Sequence, residues 1–297
     1  MRTVARVIEI RDVTPRDGLQ SERTVTPAER AALGIALAGA GLRDIEVASF
    51  VSPKAVPSMA GADEVVRDLS RAPDGTRWWA LVPNRRGVEL ARETGIDALT
   101  LTISASDGYS QKNVNRSTDE ALAGLTDIVA AAEGTELDAV VSCAFGSPFE
   151  DVTVGSVAAV VDRVRSSGVH RVTLADTTGA ATPRRVGLVL AAVRGEVGLH
   201  LHDTRGTALA NALAGLDAGV TRFDTSVGGL GGSPFAPGAG GNLATEDLVL
   251  VLEDSGIDTG VDLDALIQIA EHLGDLVGHL VPGRTAAAGA LPRFDTT

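Results

Sequence analysis

The chain has 297 residues, which is enough for one large domain or two ordinary ones, and its formal net charge of -13 argues against nucleic acid as a partner. An anionic small molecule is not excluded as a ligand, because arginines clustered at one site can outweigh the negative charge of the whole chain. Hydrophobic residues make up 44% of the chain and aromatic residues only 3%, so we expect an aliphatic core of the kind that suits a buried parallel sheet covered by helices.

The sequence predicts a soluble, cytoplasmic protein without a membrane partner. Residues 1–10 contain scattered arginines and lack the apolar stretch of a signal peptide. No segment approaches the roughly 18 uncharged apolar residues that a membrane span requires. The single cysteine, Cys143, excludes an internal disulfide and fits a reducing compartment.

Short strand-like segments alternate with longer helix-like segments along the whole chain. Alanine- and leucine-rich stretches have helical spacing, and Thr26-Pro27 and Thr182-Pro183 are typical helix starts, with an N-cap residue followed by proline at the first helical position. Each strand candidate is rich in Val, Ile, Leu or Thr and ends in polar or glycine residues. The candidates are residues 7–12, 44–49, 78–82, 98–103, 138–144, 171–175, 198–202 and 222–226.

Eight consecutive βα units with no linker between them predict one (β/α)₈ TIM-barrel catalytic domain over residues 1–297, with a C-terminal helical extension. The alternative is a doubly wound open sheet, which usually has fewer strands and a glycine fingerprint after the first one. Residues 14–18 follow the first strand candidate here and read Thr-Pro-Arg-Asp-Gly, which lacks that fingerprint. The pattern favours the barrel.

In a barrel of this type the active site lies at the C-terminal ends of the strands. The glycine-rich segment 228–242 follows the eighth strand candidate and is interpreted as a lid loop; a phosphate cradle is the rival interpretation, but the Walker lysine is absent. Charged or coordinating residues at the other strand ends are Asp12, Arg16, Asp17, Glu46, Cys143, Asp176, His200 and His202.

His200 and His202 are two residues apart, so on a strand both imidazoles point to the same face. Such a pair alone is more often hydrogen-bonded in a core. Together with Asp17 and Asn242 it offers two nitrogens and two oxygens, a donor set that suits Mg²⁺ or Mn²⁺, with zinc as the less favoured alternative. Taken singly, Asp17 would be a turn or N-cap residue and Asn242 a cap for the following helix.

Arg16 would place a fixed cation beside a developing oxyanion. Its alternative role is a structural ion pair with Glu46 or Asp176, and the two roles are compatible. For Asp12, one interpretation is that it points away from the site. Glu246 would lie on the helix after the glycine-rich loop, where it supports that loop or faces solvent.

These motifs resemble those of the 3-hydroxy-3-methylglutaryl-CoA lyases, the metal-dependent lyase branch of the DRE-type TIM-barrel enzymes. The resemblance runs from the first strand candidate to beyond the eighth. The matching segments are 13–22 (VTPRDGLQSE), 45–54 (IEVASFVSPK), 111–115 (QKNVN), 200–206 (HLHDTRG) and 242–247 (NLATED), together with the 228–247 loop.

The resemblance implies a divalent-metal-dependent retro-aldol cleavage of a 3-hydroxy-3-methylglutaryl-CoA-like thioester to acetyl-CoA and acetoacetate. It implies that Arg16 stabilises the enolate oxygen and that Glu46 and Asp176 support the substrate and this arginine. The residues that match the metal-linked positions are Asp17, His200, His202 and Asn242.

The sequence departs from the family pattern at Ser233, where a catalytic cysteine is expected in a Gly-Gly-Cys-Pro setting. A serine hydroxyl is a much weaker acid than a thiol, whose ordinary pKa is about 8.5. Ser147 likewise stands where cysteine is expected. Cys143 is a candidate substitute acid, although a small buried apolar residue is the better-supported interpretation.

Three functions stay open at this point. The first is the expected lyase, with Ser233 or a water in the role of the cysteine, and the second is an aldol-type lyase or synthase on another acyl-CoA or 2-oxo acid. The third is a catalytically quiet barrel that binds acyl-CoA and metal. Lys112, Asn113 and Arg116 are candidate CoA contacts. Barrels of this kind often dimerise, so a homodimer is also an open alternative.

Overall fold

In the computed structural model, which describes residues 7–69, 73–232 and 240–292, eight parallel strands close into a barrel. Each strand pairs with the next one in chain order, and the first pairs with the eighth. The predicted TIM barrel is thus confirmed and the open sheet excluded. The strands are β1 (Glu9–Asp12), β2 (Asp44–Ser49), β3 (Arg77–Leu81), β4 (Ala98–Ser104), β5 (Glu136–Ser142), β6 (Arg171–Ala175), β7 (Gly198–His200) and β8 (Arg222–Thr225).

Helices surround the barrel, and two of them extend beyond the last βα unit. The predicted helix starts are confirmed, because Thr26 accepts a hydrogen bond from the Glu29 N–H and Thr182 accepts one from the Arg185 N–H. The helices are α1 (Pro27–Gly39), α2 (Ala62–Asp68), α3 (Arg85–Glu93), α4 (Asp107–Val114), α5 (Thr118–Ala123), α6 (Leu125–Ala131), α7 (Val154–Ser166), α8 (Pro183–Ala192), α9 (Ala208–Asp217), α10 (Thr245–Asp254), α11 (Leu263–Val277) and α12 (Arg284–Ala288). The last two form the expected C-terminal extension.

Among the described residues, every helix is too short or too polar to span a lipid bilayer.

The seventh strand ends earlier than predicted. It was expected over residues 198–202, but β7 stops at His200, and His202 lies in an isolated antiparallel bridge with Asn242. The Leu243 N–H donates to the Leu201 carbonyl at 2.8 Å. Beyond His200 the chain therefore pairs with the segment after the eighth strand and not with a neighbouring strand of the barrel. This pairing places Asn242 beside the histidines.

The barrel interior contains charge as well as the expected aliphatic side chains. Arg11 donates to both Asp224 oxygens at 2.9 and 2.8 Å, and its Nη1 lies 2.9 Å from Asp138 Oδ2. Its guanidinium also lies 4.8 Å from the centre of the fully buried Trp79 ring. Arg11, Asp138 and Asp224 are all buried, so this ion network runs through the centre of the barrel.

Candidate active site

A cluster of side chains with metal-binding donor atoms lies at the C-terminal ends of the strands. Asp17 belongs to the short π-helical turn Thr14–Gly18 that directly follows β1, and His200 ends β7. Ligand atoms of Asp17, His200 and His202 all lie within 4.8 Å of one another. The two histidine Nε2 atoms are 3.2 Å apart, and His200 Nε2 is 4.0 Å from Asp17 Oδ2.

Asn242 completes the predicted quartet across the barrel mouth. Its Nδ2 donates to Asp17 Oδ2 at 2.8 Å and to the Leu230 carbonyl at 2.9 Å. Its Oδ1 is buried and accepts no hydrogen bond from the described residues, so an amide oxygen is available as a ligand. The alternative interpretation of Asn242 as a helix cap is wrong, since the N-cap of α10 is Ala244.

The protonation states of Asp17 and His202 suit a divalent cation. Burial raises the pKa of Asp17, but the charges of Arg16 and the two histidines outweigh it and lower that pKa to about 2. Burial and the neighbouring His200 lower the pKa of His202 to about 4, which keeps its imidazole neutral. Burial acts to lower the pKa of His200, but the Asp224 bond and the Asp17 charge raise it, so a cation that binds there would displace a proton. A carboxylate, two imidazoles and an amide oxygen fit Mg²⁺ or Mn²⁺.

His200 is oriented by a carboxylate that the sequence analysis did not single out. Its Nδ1 lies 3.2 Å from Asp224 Oδ2, and Arg11 holds Asp224 from the other side. Burial acts to raise the pKa of Asp224, yet the Arg11 charge and the His200 bond lower it below its ordinary range. A carboxylate at Nδ1 places the proton there and leaves the Nε2 lone pair facing the cluster. Its position near the end of β8 is the feature of the sequence that could have identified it.

We expect Asp224→Asn to weaken Mn²⁺ binding by about 10–100-fold, the usual cost of losing a partner that orients a metal-ligating histidine. The amide removes the charge that fixes the proton on His200 Nδ1, while its volume stays the same. Calorimetric titration with Mn²⁺ measures the change, and circular dichroism checks the fold. Unchanged affinity in a folded variant would remove Asp224 from the site.

Arg16 is held beside the cluster by two carboxylates. Its Nε donates to Glu46 Oε2, and its Nη1 donates to Asp17 Oδ1 at 2.5 Å. Thr100 in turn donates to the other oxygen of Glu46, which is itself buried. The expected pairing of Arg16 with Glu46 is therefore present, and it fixes the direction of the guanidinium.

Asp176 lies at the end of β6, and no described contact joins it to Arg16, so the alternative of an Arg16–Asp176 pair is not realised in the structure. Its Oδ1 accepts from the Ala181 N–H at 2.8 Å, and its backbone N–H donates to the His200 carbonyl at 2.8 Å. Burial raises the pKa of Asp176 to about 7. The residue thus borders the histidine strand and not the arginine.

Asp12 points away from the cluster. Its carboxylate accepts hydrogen bonds from the Thr14 N–H at 2.8 Å, the Thr245 hydroxyl at 2.7 Å and the Val227 N–H at 3.2 Å. It therefore ties the turn that carries Arg16 to the segment after β8.

Glu246 supports the start of the glycine-rich segment, one of its two expected roles. The residue is fully buried, and the Gly228 N–H lies 3.1 and 3.0 Å from its two carboxyl oxygens. A Cβ at Gly283 would lie 2.1 Å from Glu246 Oε1, so any larger residue there would displace this carboxyl group. Burial raises the pKa of Glu246 to about 8.

Glu246→Gln should stabilise the protein at high pH. The folded state keeps a proton on Glu246 up to about pH 8, whereas the unfolded chain releases it near pH 4.5, so this contribution to stability is full below pH 4.5 and is lost as the pH rises through 8. We expect the Tm of the variant to exceed that of the native protein by about 3 °C or more at pH 9, and to match it at low pH. Thermal unfolding with the exposed control Glu271→Gln checks this; an equal shift in the control would contradict it.

The candidate proton donors have different surroundings. Cys143 is fully buried, and burial raises the pKa of its thiol to about 12, which favours the interpretation as a small buried residue over that as an acid. The Ser147 hydroxyl lies 2.8 Å from that of Ser106. Ser233 lies outside the described residues, as do residues 234–239 of the expected lid.

Comparison with known proteins gives a consistent result. A model of the HMGL-like family matches residues 7–273. The chain is 42% identical over 284 residues to the hydroxymethylglutaryl-CoA lyase of Pseudomonas mevalonii, covering 91% of this chain and 93% of that protein. It is 39% identical over 300 residues to the (R)-citramalyl-CoA lyase of Chloroflexus aurantiacus, covering 95% of each. A solved HMG-CoA lyase from Acinetobacter baumannii, in complex with coenzyme A and 3-methylmalate, matches with a TM-score of 0.92 and 39% identity over 100% of both chains.

Proposed function

The chain belongs to the HMGL-like family, and from this we propose that it is a carbon–carbon lyase that cleaves 3-hydroxy-3-methylglutaryl-CoA, or a close analogue, to acetyl-CoA and acetoacetate. The observation that carries the proposal is the joining of Asp17, His200, His202 and Asn242 in one cluster with Arg16 at its edge. The cluster supports a divalent metal, for which we propose Mg²⁺ or Mn²⁺.

The reaction breaks the bond between C2 and C3 of the acyl group. The C3 hydroxyl loses its proton and becomes a ketone, the electron pair of the broken bond forms the thioester enolate, and a proton then adds at C2. A bound divalent cation supplies Lewis acidity that makes the hydroxyl more acidic. We assign acceptance of the hydroxyl proton to Asp17, because it lies in the cluster as a carboxylate. His200 is the alternative acceptor if its Nε2 does not ligate the cation.

Arg16 stabilises the enolate oxygen in this proposal. Glu46 and Asp17 hold Nε and Nη1, which leaves the Nη2 donors for a substrate oxygen. A fixed cation at a developing negative charge lowers the barrier because little reorganisation is needed during the reaction. Asp176 borders His200, and we propose that it supports the acyl end of the substrate.

The final proton at C2 is assigned to Ser233 or to a water that it orders. Because a serine hydroxyl is a weak acid, proton transfer should be slow, and the sequence alone carries this step of the proposal.

We expect the native protein to release acetyl-CoA from 3-hydroxy-3-methylglutaryl-CoA slowly, and Ser233→Cys to raise kcat by at least about tenfold, because general acid catalysis commonly contributes 10²-fold or more. Coupled detection of acetyl-CoA with Mn²⁺ measures both. If the variant cleaves the thioester and the native protein does not, the lyase site is intact but the natural substrate is a different compound. If both proteins are inert although metal is bound, the lyase assignment fails.

(R)-Citramalyl-CoA is a second candidate substrate. The (R)-citramalyl-CoA lyase of Chloroflexus aurantiacus is as similar to the chain as several hydroxymethylglutaryl-CoA lyases are. A competition assay with both thioesters distinguishes the two, since the preferred substrate has the larger kcat/KM. A catalytically quiet binder would bind both thioesters and cleave neither.

We also propose a cytoplasmic location, supported by a single cysteine that is buried and free. The homodimer stays a proposal that light scattering of the purified protein tests.

A further inference from the structure

A cavity of about 450 Å³ lies outside the metal cluster, among the segments that follow β5, β6 and β7. Arg184, Arg185 and Arg205 line it, and all three are exposed. The whole chain has a net charge of -13, so three arginines around one cavity make a locally positive region on a negatively charged protein. No ion pair joins any of the three to a carboxylate among the described residues.

Arg185 is fixed by backbone carbonyls. Its Nη1 donates to the Phe145 carbonyl at 3.1 Å and to the Ala180 carbonyl at 2.9 Å. Gly146 leaves room for this arrangement, because a Cβ there would lie 3.2 Å from Arg185 Nη1. The guanidinium is therefore oriented without being neutralised, and it retains donors for a ligand.

Arg205 is fixed in the same way. Its Nη1 donates to the Thr178 carbonyl at 3.1 Å and to the Gly179 carbonyl at 2.6 Å. Two guanidinium groups that are already oriented lose less side-chain entropy when they bind an anion.

Two carboxylates, Glu150 and Asp151, also line the cavity, so three positive and two negative charges leave a net charge of +1 among its side chains. Glu150 is engaged by the Ser106 hydroxyl and by the Gly108 N–H at 3.0 Å, whereas Asp151 is exposed. The N-terminus of α8, a helix of ten residues, adds its positive dipole end beside Arg184.

We propose that this cavity is a binding site for a phosphate group. The parallel N–H donors of a guanidinium group match the spacing of two phosphate oxygens, and a charge-assisted hydrogen bond is stronger than a neutral one. The phosphate has two sources: the nucleotide end of the CoA thioester, a source that rests on the proposed function, or a free phosphate compound that binds independently of the reaction.

Calorimetric titrations with inorganic phosphate and with adenosine 3′,5′-bisphosphate, at low ionic strength in a phosphate-free buffer, test the proposal without any need for turnover. The double variant Arg184→Gln/Arg205→Gln removes two cations from the cavity and leaves the carbonyl contacts of Arg185 in place. Its matched control is Arg85→Gln/Arg86→Gln on α3, which changes the net charge equally at exposed positions.

We expect the double variant to lose roughly tenfold or more in affinity for these phosphates, and the control to change little. A parallel increase in the Kd of CoA, measured by the same calorimetry, would assign the phosphate to CoA, while an unchanged Kd would assign it to a free phosphate compound. If neither phosphate binds the native protein, or if the control loses as much affinity, the site does not exist. These outcomes are independent of thioester cleavage, so the proposed function stands or fails separately.

Discussion

Replacement of Arg16 by glutamine should lower kcat by about 10²–10³-fold, the range that loss of a donor to a developing oxyanion typically costs. The reason lies in its position, because Arg16 is fixed between Glu46 and Asp17 at the edge of the cluster that contains His200 and His202. We expect Mn²⁺ affinity to fall much less than kcat, since the ligand set itself is retained. Steady-state kinetics and a metal titration on the same preparation measure the two effects.

Arg16→Lys is the informative companion variant. It retains the positive charge, but a single ammonium does not reproduce the planar fork that bridges Glu46 and Asp17. We expect kcat to stay low in this variant, above that of Arg16→Gln. Native kcat in Arg16→Gln would show that Arg16 serves only as an ion-pair partner.

His200→Ala should abolish both metal binding and turnover. It removes a ligand directly, so the weakening should exceed the roughly 10–100-fold that loss of an orienting partner costs. Its ring also contacts both His202 and Asp224, which leaves the remaining cluster without its central member. Calorimetry with Mn²⁺ and the acetyl-CoA assay measure the loss.

The exposed His170 provides the control, because His170→Ala removes an imidazole of the same size far from the cluster. The control should keep native affinity and kcat. Turnover by His200→Ala with metal still bound would contradict the assigned ligand set.

The fold, and the meeting of Asp17, His200, His202 and Asn242 at one end of the barrel, could be predicted because both follow from the order of strands and helices along the chain. Alternating strand and helix segments predict the barrel, and the barrel places strand ends together. Asp17, His200 and His202 follow from this rule, and Asn242 joins Asp17 as expected.

The parts that could not be predicted depend on pairing between distant segments. The early end of β7 follows from the bridge between His202 and Asn242, which no local signal reveals. The role of Asp224 depends on Arg11, a residue more than two hundred positions away that neutralises it inside the barrel. The neighbours of Asp176 likewise follow from the packing of the segment after β6.

The burial of Cys143 has a consequence for the response of the enzyme to oxidants. Oxidation and alkylation act on exposed thiolates, and a fully buried thiol with a pKa of about 12 offers almost none. With serine at position 233, no thiol remains in the glycine-rich segment. A protein with a cysteine there gains a better acid but also a point at which peroxide can switch it off. Because this chain has serine there, we expect its activity to be insensitive to peroxide.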